Sequence, residues 1–560
     1  PEGWTQTDAA ALGLQDRIDM DGNLMLESPI TGFAYSGALL RIMEERDASG
    51  ALTRIAVCYL GTNSPIDLPD YLQLNSGEMA AAMEPVLAAL RDYAVAHGLT
   101  AEDVLVTGYS LGGGYADIQA RFADTLAGGW FADSLYVGHE SPVIFDGGDG
   151  RVLNIGYEND VVHRATGDAA DFWSALGQAG PLLSNPDRSF LSSMDNFVIF
   201  DGSYRFAWLT QAVDSILNIG GSWWAHVGGI FSDAVARVSQ SAFYEFTQRD
   251  SVMVVSNLGA DMRWNTWVED KASPTSDHHG APAFIVGTAF DDLLGGGRGN
   301  DWIDGGLGDD RLRAGSGFDR VEGGAGFHTL RIEADPGTVT AWRLADGSLA
   351  VMTGDVLTVA QGIEDIEFTH KGPLGLVDST AACSIMGDRL EDDRRSLFEW
   401  GDQDVALRRA AEGGAAADML TGTAVFGHGG DDRLTGTAGA DLLVGGTGRD
   451  VLAGQGGADR LYGAERDDRL TGDSAGDRLN GGHGNDVFVF TAATGQIVVE
   501  DFNHTANEAD RLVLAGADVD RLIVGAVQDG ADAVLHWGAL TVRLAGVAVG
   551  DLDRGDFLLA

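Results

Sequence analysis

Residues 104–113 read Val-Leu-Val-Thr-Gly-Tyr-Ser-Leu-Gly-Gly, "VLVTGYSLGG". A β-rich apolar run ends at a serine framed by Gly108 and Gly112, and "GGYADIQARFADTLAGG" (113–129) continues with helical character. A strand that turns sharply into a helix around Gly-x-Ser-x-Gly exposes the serine hydroxyl as a nucleophile. Small residues are needed at both offsets because strand and helix pass close together. The same frame recurs at 472–476, "GDSAG", around Ser474.

The surroundings of Ser110 extend the pattern. "ALTRIAVCYLGT" (51–62) is an apolar run ending at Gly61-Thr62, and "SGEMAAAMEPVLAALRDYAVAHG" (76–98) reads as a helix with Ser76 as cap and Gly98 as stop. "SLYVGHESP" (134–142) and "RVLNIGYENDVV" (151–162) read as further strands. Strands alternating with helices predict a sheet covered on both faces, with Ser110 at a strand-to-helix turn. This is the organisation of an α/β-hydrolase domain.

Composition bounds the rest. The 560 residues carry 84 acidic against 36 basic side chains, a net charge of −48. Such a balance argues against nucleic-acid binding, which needs basic surface. Apolar residues make up 44% of the chain, too many for a disordered one. Glycine is abundant, at 79 residues, and there are two cysteines, Cys58 and Cys383, so no disulfide framework is expected. No apolar run is long enough to predict a membrane span. The stretch "PEGWTQTDAA" (1–10) has no basic or apolar leader character, so no Sec-type signal is expected.

Abundant Gly and Asp fall into a nine-residue period of the form G-G-x-G-x-D-x-U-x, with U a large aliphatic. The first block is "GTAFDDLLG", "GGRGNDWID", "GGLGDDRLR", "AGSGFDRVE" and "GGAGFHTLR" (287–331), with Asp292, Asp301, Asp310, Asp319 and His328 at position six. The second block places Asp432, Asp441, Asp450, Asp459, Asp468, Asp477 and Asp486 nine residues apart. Such repeats predict a parallel β-roll. The glycines allow a tight six-residue turn, x-U-x forms a short strand with U inward, and successive turns sandwich Ca²⁺ between oxygen ligands. The expected calcium ligands are Asp301, Asp310, Asp319, Asp432, Asp441, Asp450, Asp459 and Asp486. "GAERDDRLT" and "GDSAGDRLN" lack glycines at positions two and four, so Asp468 and Asp477 are expected to ligate more weakly. His328 is expected to end the first roll. The period also explains "GDSAG": its glycines belong to a calcium turn, which leaves Ser110 as the nucleophile.

A serine nucleophile needs a base, and the base an orienting carboxylate, in the chain order Ser, acid, His. Asp160, after the strand "VLNIGY", is the expected acid, with Glu158 as the rival. Between Asp160 and the repeats stand His163, His226, His278 and His279. His163 is too near the acid. His226, in "SWWAHVGG", lies in an apolar stretch and reads as a packed core residue. His278 in the polar "SDHHG" is the expected base, with His279 the alternative.

Taken together, "VTGYSLGGGYAD" (106–117), "VLNIGYENDVVHRATG" (152–167), "MDNFVIFDGSYR" (194–205), "SILNI" (215–219), "RWNTWVED" (263–270) and "HHGAPAFIVGTAFDDLLGG" (278–296) resemble the RTX lipases of Gram-negative bacteria. These are calcium-dependent secreted lipases, some described as polyurethanases. The resemblance runs from near residue 2 to the C-terminus and is weakest over 332–417. It implies Ser110, Asp160 and His278 as a catalytic triad. Leu111 and Thr62 would be the oxyanion donors, and Glu158, Asp187 and Asn196 the ligands of a structural Ca²⁺ in the catalytic domain. The segments that build a lid in the family are short here, which implies an open site and shorter or more soluble esters. Tyr109 stands where His is commoner and is expected to face away from the chemistry. The tail "DFLLA" (556–560) resembles the uncleaved signal of type I export, implying an ABC export apparatus as partner and an extracellular, monomeric product.

The expected organisation is therefore an α/β-hydrolase lipase domain (1–286), a first roll (287–331), an intervening β-rich segment (332–417), a second roll (418–490) and a β-sandwich-like C-terminal domain (491–560). The expected function is hydrolysis of carboxylic esters such as triacylglycerols, or of polyesters and polyurethanes. A short-chain esterase or phospholipase A, and a non-enzymatic RTX adhesin, are the rival readings.

Overall fold

The computed structural model describes residues 3–26, 39–61, 77–142, 151–157, 226, 229–248, 251–269, 282–371, 378–392, 404–492, 494–504 and 508–558. The chain divides into two compact units, Pro1–His279 and Gly280–Ala560.

The first unit is built on a sheet of β1 (Trp4–Gln6), β2 (Leu24–Met25), β3 (Leu39–Arg46), β4 (Leu52–Tyr59), β5 (Val104–Tyr109), β6 (Leu135–His139) and β7 (Val152–Ile155). The order across it is β1-β3-β4-β5-β6-β7, with β2 on β3. β3 pairs antiparallel with β1 and β4, whereas β4, β5, β6 and β7 run parallel. Parallel neighbours need crossovers, and two helices supply them: α1 (Gly77–Ala96) between β4 and β5, and α2 (Leu111–Arg121) between β5 and β6. In α1 the buried Met79, Met83, Val86, Leu87, Leu90 and Ala94 recur every three or four residues, giving one apolar stripe for the core. Val104 and Val106 of β5 are fully buried in the same cluster. A third helix, α3 (Gly229–Gln240), begins just after His226. Among the described residues no helix is long and apolar enough to cross a membrane.

The second unit is almost entirely β. In the first repeat block Ala283–Val286, Trp302–Asp304 and Phe318–Glu322 pair in parallel, while Leu293–Gly295, Arg311–Arg313 and Thr329–Ile332 form a second parallel ladder. Each strand pairs with the one two repeats away, so a nine-residue period makes two sheets. The aliphatics at position eight point between them: Leu294, Ile303, Leu312 and Leu330 are fully buried. The second block repeats this arrangement, with Leu434, Leu443, Leu452, Leu461, Leu470, Leu479 and Phe488 each at 0% exposure. Burying one such side chain stabilises by roughly 1.5–3 kcal/mol, so a single coil holds too little apolar surface to stand alone.

The repeat ends at His328, but the sheets do not. Val356–Gln361 adds in parallel to Phe318–Glu322, and Asp365–Lys371 adds in parallel to Thr329–Ile332. Antiparallel strands extend both. The second ladder begins before the strict period, at Ala411–Glu412 and Met419–Thr421. It continues through Thr494–Val499, Arg511–Leu514 and Ala539–Leu544, which share one apolar core with the repeats.

Candidate active site and calcium turns

Ser110 sits between β5 and α2 with φ 57° and ψ −126°, a strained conformation for a residue with a Cβ. The close packing around it explains the glycines. A Cβ on Gly108 would meet the Gly112 carbonyl oxygen at 2.1 Å, and one on Gly112 would meet that of Tyr59 at 2.4 Å. Ser110 N–H donates to the His139 carbonyl at 2.9 Å, tying the turn to β6. Burial pushes the His139 imidazole down to about 4, so it stays neutral beside the turn. Leu111 is the first residue of α2, so its N–H precedes the intrahelical ladder.

His226 Nε2 lies 2.8 Å from Ser110 Oγ. The imidazole is buried, at 7% exposure, and the Tyr109 ring stacks on it with centroids 5.4 Å apart at 24°. Both positions depart from the sequence reading. His226 is buried, but against the Ser110 hydroxyl rather than in an ordinary core. Tyr109 does not face away from the serine site; it is the platform for the imidazole. An apolar setting such as "SWWAHVGG" does not distinguish these environments, because a histidine held beside a buried serine also has apolar neighbours. His278 and His279 lie outside the described residues, as do Thr62, Glu158, Asp160, His163, Asp187 and Asn196.

Glu140, at the end of β6, adopts φ 49° and accepts a hydrogen bond from Tyr157 N–H at 3.1 Å, one residue before Glu158. Below the turn, buried Asp117 of α2 accepts from Ser141 Oγ at 2.6 Å.

The repeat turns share one hydrogen-bond ladder. In each, one carboxylate oxygen of the position-six Asp accepts the backbone N–H of the Asp two coils earlier. Asp310 does so for Asp292, Asp319 for Asp301, Asp450 for Asp432, Asp459 for Asp441, Asp468 for Asp450 and Asp486 for Asp468. The second oxygen divides the turns into two kinds. In Asp292, Asp301, Asp418, Asp441 and Asp477 it accepts the N–H of position two in its own turn, from Thr288, Gly297, Gly414, Thr437 and Asp473 respectively. In Asp310, Asp319, Asp432, Asp450, Asp459, Asp468 and Asp486 that oxygen is buried with no hydrogen-bond partner. Those seven turns have a left-handed residue at position two: Gly306, Gly315, His428, Gly446, Gln455, Ala464 and Gly482, with φ from 70° to 112°. The left-handed backbone turns the position-two N–H away and leaves the carboxylate oxygen open.

An open, buried carboxylate oxygen is suited to hold a cation. Position one is glycine in six of these seven turns, Ala314 being the exception in the Asp319 turn, and a Cβ on Gly445, Gly463 or Gly481 would lie 2.3 Å from the Asp oxygen. Every donor in such a turn is oxygen, which suits a hard divalent cation such as Ca²⁺. Asp310 is pushed up to about 8, Asp450 to about 7 and Asp459 to about 6, chiefly by loss of water around the carboxyl. Bound calcium would supply the positive charge that these carboxylates lack, and would cross-link adjacent coils.

This geometry departs from the expected ranking of ligands. Asp468 has an open turn although Ala464 and Arg466 replace its glycines; both adopt left-handed φ, at 89° and 78°. Asp301 and Asp441, expected as ligands, are self-capped by Gly297 and Thr437. Asp418 belongs to the ladder, donating its N–H to Asp432 at 2.7 Å. The sequence reading missed it because residues 422–426 interrupt the period.

The RTX calcium-binding nonapeptide repeat family matches at residues 284–312, 305–326, 426–461 and 462–492. A lipase from Pseudomonas fluorescens is 34% identical over 302 residues, covering 51% of this chain and 60% of that protein. A second P. fluorescens lipase is 33% identical over 299 residues, covering 50% and 63%. The chain thus spans somewhat under two thirds of the length of the curated relatives it matches. The crystal structure of extracellular lipase LipA from Serratia marcescens superposes with a TM-score of 0.66 at 29% identity, covering 100% of this chain and 86% of that one. With calcium-binding nonapeptide repeats in its β unit, lipases as sequence relatives and a lipase as structural neighbour, the chain is similar to the RTX lipases in both sequence and fold.

Proposed function

We propose that this protein is a secreted, calcium-dependent serine ester hydrolase of the triacylglycerol lipase type. In this reading an α/β-hydrolase domain precedes two parallel β-rolls and a β-rich tail. One observation carries it: Ser110 Oγ, on a strained strand-to-helix turn, stands 2.8 Å from His226 Nε2. Ser110 attacks the ester carbonyl while His226 takes its proton and later returns it to the alcohol leaving group. Asp160, which follows β7 in the sequence, is the proposed carboxylate that orients the imidazole and stabilises its cation. His226 replaces His278 as the proposed base. The N–H groups of Leu111 and Thr62 bind the tetrahedral oxyanion. Glu158, Asp187 and Asn196 are the proposed ligands of a catalytic-domain Ca²⁺. Calcium in the rolls acts as a folding switch, scarce inside the cell and abundant outside, in keeping with type I export of a monomeric product.

The test is an activity profile on triacylglycerols and p-nitrophenyl esters of increasing acyl length, with a phospholipid arm and a polyester-polyurethane arm, in calcium and in EGTA. Long-chain activity that needs both calcium and Ser110 supports the lipase reading. Activity confined to short acyl chains or to phospholipid selects the esterase or phospholipase. Activity that survives Ser110→Ala overturns the mechanism, and wild-type protein inert on every ester in calcium leaves the adhesin reading.

A further inference from the structure

The turns carrying Asp441, Asp459 and Asp477 lie on one side of the second repeat block, and they are not uniform. Asp441 is closed by Thr437, whose N–H and hydroxyl both donate to it, and Asp477 is closed by the N–H groups of Asp473 and Ser474 at 3.0 and 2.9 Å. Only Asp459, between them, is open: it is fully buried, its Oδ1 accepts Asp441 N–H at 2.9 Å, and its Oδ2 has no partner.

Asp473 faces this open turn. It occupies position two of "GDSAGD", where the repeat has glycine. Its turn is built differently from the rest, with the left-handed residue at Gly476, position five. One Asp473 oxygen accepts Gln455 N–H at 3.1 Å; the other is buried without a partner. Single ligand atoms of Asp459, Asp473 and Asp477 all lie within 4.8 Å of one another. Three carboxylates at that separation repel strongly unless a cation sits among them. All three offer oxygen alone, and calcium affinity rises with the number of charged ligands.

We propose that Asp473, which stands outside the ligand position of the repeat, joins the open oxygen of Asp459 in a calcium site, with Asp477, both of whose oxygens already accept backbone N–H groups, beside it as a third negative charge. The coil that departs furthest from the glycine pattern then makes a stronger site on this side, because a side-chain carboxylate replaces ligands that the altered turn no longer presents. The proposal rests on calcium binding by the repeats and is independent of the esterase reading.

The experiment is calcium stoichiometry on the full chain. Protein stripped with EGTA is titrated with calcium by equilibrium dialysis, with folding followed by circular dichroism. Wild type is compared with Asp473→Asn, Asp473→Gly and, on the other side of the block, Asp450→Asn. Asn keeps an acceptor for Gln455 N–H but removes the charge, whereas Gly restores the repeat. Both Asp473 variants are expected to fold in millimolar calcium and to bind one ion fewer, or to hold one ion about tenfold more weakly. Unchanged stoichiometry and affinity in both variants would overturn the proposal. So would a wild-type protein that takes up no calcium, an outcome that also removes the repeat sites and shows as no loss in Asp450→Asn.

Discussion

Ser110 Oγ and His226 Nε2 stand 2.8 Å apart although 116 residues of chain separate them. A serine hydroxyl is a poor nucleophile until a base at hydrogen-bond distance can take its proton. His226→Ala is therefore expected to lower kcat on the order of 10⁴-fold or more, with little change in calcium binding or thermal stability. His278→Ala should retain activity within a few-fold. The paired measurement is steady-state kinetics on one soluble ester. The reverse ranking, His278 essential and His226 dispensable, would show that the serine–imidazole pair is not the reacting pair.

Tyr109 precedes Ser110, and its ring stacks on His226 at 5.4 Å. Aromatic pairs of this kind contribute about 0.5–1.5 kcal/mol beyond the area they bury, which corresponds to roughly two- to tenfold in rate where the geometry matters. Tyr109→Phe keeps the ring and should leave kcat near wild type. Tyr109→Ala should lower kcat two- to tenfold and alter the pH profile through His226, with KM less affected. A Tyr109→Ala enzyme with wild-type kcat and pH profile would make the stack incidental.

Sequence alone specified the strand-to-helix turn at Ser110, because Gly108 and Gly112 are dictated by contacts under 2.5 Å that no side chain tolerates. It also specified the two ladders, because the period of nine sets both the sheet partner and the buried Leu at position eight. Two things were illegible for physical reasons. Burial and apolar neighbours look alike for a histidine packed in a core and for one held against a serine hydroxyl, so the sequence around His226 does not separate the two. Glycine content was read as the measure of a calcium turn, whereas backbone handedness governs it: Gly297 is a glycine in a self-capped turn, and Ala464 is an alanine in an open one.

That distinction makes Arg466 informative. It is exposed at φ 78°, at position four of the Asp468 turn. A left-handed conformation costs a residue with a Cβ roughly 1–2 kcal/mol, part of which glycine loses again through its freer unfolded chain. Arg466→Gly is expected to stabilise the second unit by about 0.5–1 kcal/mol, read as a higher denaturation midpoint in calcium. A lower midpoint would mean that the turn relaxes to a different backbone in solution.

The buried carboxylates also fix how the calcium-free protein answers to pH. Asp310, Asp450 and Asp459 are raised from an ordinary 3.8 to about 8, 7 and 6 by burial, and Asp319, Asp468 and Asp486 are also pushed well up, mainly by burial. A carboxyl that is harder to ionise in the folded than in the unfolded chain favours folding while it is protonated. Its contribution is complete below the unfolded value and is lost as pH rises through the folded one. In EGTA the second unit should therefore lose stability steadily from about pH 5 to pH 8. Calcium binds the ionised form and expels those protons, so millimolar calcium should remove or reverse the slope over the same window. Denaturant midpoints at pH 5, 6, 7 and 8, with and without calcium, measure this directly. A calcium-free unit that becomes more stable as pH rises across that range would contradict the open-turn geometry, since its second carboxylate oxygens would then have to be solvated or already paired.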